Sequence, residues 1–259
     1  MVRALYSAWT GMVNEQRRLD VVSNNTANAD TTGYKKMGAT SQTFDEELAI
    51  RANDMDREFS RRRIGQLNGG VKIGETYTDY TQGNLKVTEG TYDIALGGSG
   101  FFTIRTTDKS GATHTRYTRD GAFTVTRDGY LVTKDGDSVM GTDGNPIQIP
   151  GAQTAQVTVD EFGNIYANDV YVNQFALVDF TDYDTVVLYG ENMWEATDAT
   201  QIVAATPSVH QGYLEASNVN VVDEMVDMIT ITRAYETNQK MIQTIDRVLD
   251  KAVNEIGRM

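Results

Sequence analysis

The sequence predicts an α+β fold in which long N- and C-terminal helices pack together in coiled-coil fashion, with a mainly antiparallel β domain inserted between them. Three observations predict it: an amphipathic stripe at the N-terminus, an uninterrupted seven-residue apolar period at the C-terminus, and Asp-Gly pairs recurring between short apolar runs in the middle.

In chain order, residues 1–34 read as an N-terminal assembly helix. Leu5, Trp9, Met12, Leu19 and Val22 recur at helical spacing against polar Asn14, Glu15, Arg17, Arg18 and Asp20. Asn24-Asn25-Thr26-Ala27-Asn28 and then Thr31-Thr32-Gly33 supply the small polar residues and the glycine that end a helix in a turn. Residues 35–70 read as a connecting arm. It mixes both charge signs around Arg61-Arg62-Arg63, which is expected to be solvated, and carries Gly65, Gly69 and Gly70.

Residues 71–215 read as the β domain. Asp120-Gly121, Asp128-Gly129, Asp135-Gly136 and Asp143-Gly144 recur at spacings of seven or eight, each a hairpin signal beside runs such as Phe123-Thr124-Val125 and Tyr130-Leu131-Val132. A further strand–turn–strand is expected around Val157-Thr158-Val159 and Ile165-Tyr166, and Gln174 to Phe180 reads as an apolar strand.

Residues 216–259 read as a C-terminal assembly helix that pairs with residues 1–34. Val221, Met228, Tyr235, Ile242, Leu249 and Ile256 fall seven apart, and Met225, Thr232, Gln239 and Ala252 fill intervening seam positions, over roughly ten helical turns. Residues 1–36 carry a small positive balance and 216–259 a small negative one, so the middle holds the whole net charge of −13. Opposite signs favour association of the ends, although exposed pairs contribute little each.

Composition narrows the function classes. With 40% hydrophobic residues in 259, the chain can bury a sizeable core. The excess of 36 acidic over 23 basic residues disfavours a nucleic acid partner. The absence of Cys excludes disulfides and thiolate chemistry. No apolar run approaches the roughly 20 residues of a transmembrane segment, and the N-terminus lacks the pattern of a secretory signal.

Candidate chemistry is sparse. His114 and His210 are far apart and show no zinc-ligand spacing. The Asp-Gly pairs do not complete a calcium loop and are read as turns. Gly97-Gly98-Ser99-Gly100 lies between two strand-like runs, Asp93–Leu96 and Phe101–Ile104, whereas a phosphate loop needs a helix after it. Asp160 with Glu161, or Asp182 with Asp184, could be nominated as an acid/base pair for glycan hydrolysis, but surface turn residues are the expected reading. Asn24-Asn25-Thr26 matches a glycosylation acceptor at a helix end and implies no modification. No catalytic residue, metal or cofactor is expected.

Several blocks together resemble the bacterial flagellar rod and hook family. Ser23 to Asn28 followed by Thr32-Gly33-Tyr34-Lys35 is similar to its asparagine-rich rod signature, with Asn24, Asn25, Asn28 and Gly33 as the matching positions. Gln82-Gly83-Asn84-Leu85, Asp93-Ile94-Ala95-Leu96 and Gly98-Ser99-Gly100-Phe101-Phe102 resemble a second block, and Tyr117-Thr118-Arg119-Asp120-Gly121 a third. The stretch from Gly212 through Glu215, Ser217 and Asn218 to Asn220, with Arg233 to Asn238, resembles the C-terminal block. The blocks are collinear and cover both ends and much of the middle.

The resemblance implies a structural subunit that is exported unfolded by the flagellar type III apparatus, without a cleaved signal, to the basal body outside the cytoplasmic membrane. It implies a helical homopolymer built through the terminal helices, with neighbouring rod and hook proteins as further partners. The compact length and the block from Glu215 to Asn220 look most like the distal-rod member, with a proximal-rod or other hook-basal-body paralogue as the alternative. Two other classes are weighed beside it: an enzyme acting on cell-wall glycan, and a carbohydrate- or protein-binding β module.

Overall fold

The computed structural model describes residues 2–44, 47–50, 63–108, 111–151 and 155–256. The chain divides into two compact units, one of residues 1–26, 37–78 and 221–259 and the other of residues 27–36 and 79–220.

The first unit contains two helices, α1 (Val2–Ala27) and α2 (Val221–Lys251), the latter ending in a π-helical turn at Ala252–Ile256. Neither helix contains proline. Asp223 and Glu224 in the first turn of α2 and Lys251 in its last suit the helix dipole. The other described residues of the unit include two antiparallel strand pairs. Met37–Thr43 pairs antiparallel with Val71–Thr78, with a register shift between Ala39 and Ser41, and Glu47–Ile50 pairs with Arg63–Leu67. Thus Val71–Thr78, placed by the sequence at the head of the β domain, is the return strand of the arm. Arg61 and Arg62 lie outside the described residues.

Helix α1 is held to the arm by polar contacts. Asn14 Nδ2 donates to Ser41 Oγ at 3.0 Å, and Gly70 closes on Thr10 so tightly that a Cβ there would stand 2.2 Å from Thr10 Oγ1.

The two-helix seam is a correction to the expected fold. The α+β class stands, but the helices are not packed together along their length, since along the 31 residues of α2 only Glu224 and Ile231 are buried. The physical reason lies in α1, whose buried positions are Ala8, Thr10, Asn14 and Asn25, small or polar residues that offer no apolar knobs and holes. The helices meet instead at points. Asn25 Nδ2 donates to Glu224 Oε2 at 3.1 Å, and Gly11 lacks a side chain where a Cβ would come within 2.9 Å of Asn238 Nδ2.

The second unit is built on an antiparallel sheet of nine described strands. Phe101–Thr107 lies at its centre, pairing with Thr113–Thr118, with Ser138–Val139 and with Leu177–Phe180. Successive side chains of a strand point to opposite faces, and this central strand therefore feeds two cores. Phe102 and Ile104 join a cluster with Ile94, Leu96, Phe123, Leu131 and Phe175, while Phe101 packs with Tyr117, Phe180 and Trp194. Burying each such side chain contributes roughly 1.5–3 kcal/mol.

The hairpin turns repeat one geometry. Gly129 N donates to Thr126 O, Gly136 N to Thr133 O and Gly144 N to Gly141 O, each at 3.0 Å, and all three glycines have positive φ. This is a short hairpin loop closing on a left-handed glycine. Gly163 repeats it, donating to Asp160 O at 2.9 Å. Asp120-Gly121 departs from the pattern. Gly121 lies against the segment around Ile94, where a Cβ would fall 1.6 Å from Ile94 O.

Candidate functional site

Two features stand out, one in each unit. The first is a buried ionic clasp in the second unit. Tyr213–Glu215 pairs with Leu85–Val87, which sets Glu215 opposite Leu85 and points its carboxylate inward, where the residue is 1% exposed. Glu215 Oε1 accepts from Lys35 Nζ at 2.5 Å and from Gly83 N at 3.0 Å, and Oε2 accepts from Arg119 Nη1 at 3.1 Å. Lys35 Nζ also donates to Thr81 O at 2.8 Å, and Arg119 Nη2 to Gly98 O at 2.6 Å. Burial pushes the Lys35 ammonium below its usual range, with the Glu215 carboxylate opposing that shift.

Backbone contacts close the clasp. Gly33 N donates to Glu215 O at 2.9 Å, and Lys36 N to Asn218 Oδ1 at 2.7 Å. Asn218 Nδ2 reaches Asp79 O at 2.8 Å. Thr32 Oγ1 donates to Asp120 Oδ1 at 2.7 Å, and Gly98 N to Gln82 Oε1 at 3.0 Å. Three glycines allow this closeness. A Cβ would stand 2.4 Å from Asp120 N at Gly33, 1.9 Å from Ala216 O at Gly83 and 1.6 Å from Ile94 O at Gly121.

The structure thus brings Gly33, Gln82, Gly83, Asp120, Glu215 and Asn218 into one network. Other motif residues serve elsewhere. Asn25 bonds both ways with the backbone of Met37 and reaches Glu224 within the first unit. Asn28 accepts from Thr31 Oγ1 at 3.1 Å, Asp93 O accepts from Gly212 N, and Ser217 Oγ accepts from Val219 N. Gly100 has φ +134 beside Ala205 and Pro207, Phe101 is a core residue, and Asn24 and Asn220 lie at the surface. Lys35 and Arg119, the clasp's two cations, were not singled out from the sequence. Their signal was faint: each sits inside a matching block, but a buried cation and a solvated one are spelled alike.

The second feature is the surface of the helices in the first unit. On α1, Leu5, Met12, Leu19 and Val22 are half-buried, while Trp9 is 53% exposed. On α2, Val221, Met228, Tyr235, Ile242 and Leu249 are half-buried. The positions that accompany them inward stand three residues on, at Glu224, Ile231, Asn238 and Ile245, so Met225, four residues on, is 53% exposed. Ile256 falls in the closing π-helical turn. Met225 joins Val222, Val226 and Ile229 in a row at i, i+3, i+4 and i+7, each more than half exposed.

The nominated acid/base residues are occupied by turns. Asp160 heads a hairpin turn, and Asp182 Oδ1 accepts from Asp184 N at 3.0 Å to cap the 3₁₀ turn Tyr183–Thr185. The Lys35 amine is sealed, its side chain 1% exposed, so no substrate reaches it. Among the described residues, no group of three His, Asp or Glu side chains could hold a metal ion, and no described helix is long and apolar enough to cross a membrane.

Three family models match the chain. That for the flagella basal body rod protein matches residues 5–35, that for the flagellar hook protein FlgE/F/G D1 domain matches residues 95–167, and that for the flagellar basal body rod FlgEFG protein C-terminal matches residues 210–255. The flagellar basal-body rod protein FlgG of Buchnera aphidicola subsp. Acyrthosiphon pisum is 33% identical over 97% of this chain and 98% of its own. The flagellar basal-body rod protein FlgF of Caulobacter vibrioides is 34% identical over 100% of both chains. The flagellar hook-basal body complex protein FlhO of Bacillus subtilis is 31% identical over 100% of both.

Proposed function

The chain belongs to the flagellar basal-body rod protein family, and on that premise we propose that it is a subunit of the distal rod, polymerising through its terminal helices into the axis that transmits torque to the hook. The observation that carries the assembly reading is the surface of α2. Ile231 is its one buried apolar side chain, while Val222, Met225, Val226 and Ile229 face solvent. A helix of 31 residues owes most of its stability in water to packing of an apolar face, and this one is left to find that packing on other molecules.

On this reading the partners are further copies of the chain, neighbouring rod and hook proteins and, before assembly, the flagellar type III export apparatus. The location is the basal body outside the cytoplasmic membrane, reached without a cleaved signal. The clasp around Glu215 supports the same role, because it joins the segment leaving α1 to the segment entering α2 through ion pairs with no solvent access. Compact length and the block from Glu215 to Asn220 favour the distal position. A proximal-rod paralogue is the second reading, favoured by the FlgF relative, 34% identical against 33% for the FlgG relative.

Electron microscopy of isolated basal bodies carrying a labelled version of the chain tests the proposal. Label is expected along the distal part of the axis. Label confined to the proximal part would select the second reading, and absence from the axis would exclude both.

A further inference from the structure

We propose that Asn68-Gly69 is a self-modification site, at which Asn68 loses its side-chain amide and becomes a carboxylate. It is the sole Asn-Gly pair in the sequence. Both residues are exposed, and nothing lies within 4 Å of the position a Cβ would take on Gly69, so no side chain or neighbouring segment crowds the following residue on that side. In addition, Asn68 Oδ1 accepts a hydrogen bond from Gly70 N at 3.0 Å.

That hydrogen bond bears on the reaction. Gly69 N attacks Asn68 Cγ and gives up its proton, and negative charge develops on Oδ1 in the tetrahedral intermediate. Gly70 N–H already points at that oxygen, as an oxyanion donor does. The Cγ–Nδ2 bond then breaks, ammonia leaves, and a five-membered succinimide remains. Water completes the step. Added at Cγ it opens the ring to an ordinary aspartate, and added at the Asn68 backbone carbonyl carbon it leaves a β-linked isoaspartate. No oxidant, metal or enzyme is required.

The position gives the change a consequence. Asn68 immediately precedes the point where the arm closes on α1, with Gly70 tight against Thr10 and Phe44 N donating to Gly70 O at 3.1 Å. The product places a negative charge there, and the β-linked form also adds a backbone atom. A long-lived copy of the chain therefore acquires an altered joint between its first helix and its arm.

The test is peptide mass mapping, with separation of aspartate from isoaspartate, after the folded full chain is held at mildly alkaline pH. Asn68 is expected to convert ahead of Asn168 and Asn254, which are also exposed but are followed by Asp169 and Glu255. Conversion is expected to be lost in Asn68→Gln and slowed in Gly69→Ala, whose methyl group would stand in open space. The folded chain is expected to convert at least as fast as the chain unfolded in urea. Slower conversion in the folded chain, or an intact Asn68 beside a converted Asn168, would overturn the proposal.

Discussion

Lys35 and Glu215, 180 residues apart in sequence, form a buried ion pair of 2.5 Å in which both side chains are 1% exposed. Arg119 completes the arrangement from the body of the second unit, so that two cations share one carboxylate.

That asymmetry predicts unequal mutants. Removing one partner of a buried pair costs about 3–5 kcal/mol. Glu215→Met would leave Lys35 and Arg119 without the carboxylate they share, with Asp79 and Asp179 acting on them only at longer range, and should sit near the top of that range. Lys35→Met leaves Arg119 to balance Glu215 and should cost clearly less. Urea unfolding followed by Trp194 fluorescence, in a Trp9→Phe background, measures both. Equal losses would mean that the carboxylate is not the centre of the clasp.

A second prediction concerns Gly33. At φ +69 a side chain costs about 1–2 kcal/mol in backbone strain alone, and here a Cβ would also meet Asp120 N at 2.4 Å. Gly136, at φ +91 with open space around it, isolates the backbone cost. Gly33→Ala should therefore lose roughly 1–3 kcal/mol more than Gly136→Ala. The same fluorescence experiment decides it, and equal losses would remove the packing argument.

Alkaline pH should expose the tyrosines of the second core. Burial, together with the hydrogen bond it donates to Asp179 Oδ1, pushes the Tyr183 phenol up from 10.0 to about 12. A raised phenol contributes stability that is complete below pH 10.0 and is lost as pH rises through about 12, because the unfolded chain ionises first. Lys35 works in the opposite sense: its lowered folded value makes stability rise with pH, an effect that ends at 10.5. Between 10.5 and about 12, then, stability should fall, and fall less steeply in Tyr183→Phe. Tyr92 and Tyr117, pushed up by burial, keep some slope in that variant. Identical melting curves for parent and variant across this window would contradict the assignment.

The sequence was most legible where backbone geometry demands particular residues. Asp128-Gly129, Asp135-Gly136 and Asp143-Gly144 were readable as turns because only glycine takes positive φ freely. Asp120-Gly121 carries the same letters for a different reason, close approach to Ile94 O, which no local pattern reveals. On α2 the seven-residue period falls on half-buried positions, but of the intervening ones Met225, Thr232 and Gln239 were set one residue late. Apolar Met225 looked the better seam residue than Glu224, whose burial is made possible by Asn25, 199 residues away. The helix pairing failed for a related reason: α1 shows an apolar stripe yet buries Ala8, Thr10 and Asn14, because the arm and the hydrogen bonds it offers claim that face. The clasp was visible as scattered blocks, since glycine and asparagine mark tight backbone, while its cations became recognisable only once the strands set Glu215 inside.

Whether α2 is an assembly element is decided by rod formation in cells whose single copy of the chain carries Met225→Asp or Ile229→Asp. Both side chains are more than half exposed, in the row that α2 leaves to solvent. An aspartate there would meet an apolar interface without a partner, at a cost on the order of a few kcal/mol per contact, repeated at every subunit. Basal bodies viewed by electron microscopy should lack a complete rod, the purified variant should keep the fluorescence of buried Trp194, and exposed Lys251→Asp should be milder. Normal rods and parental swimming in Met225→Asp cells would mean that α2 is not an assembly element.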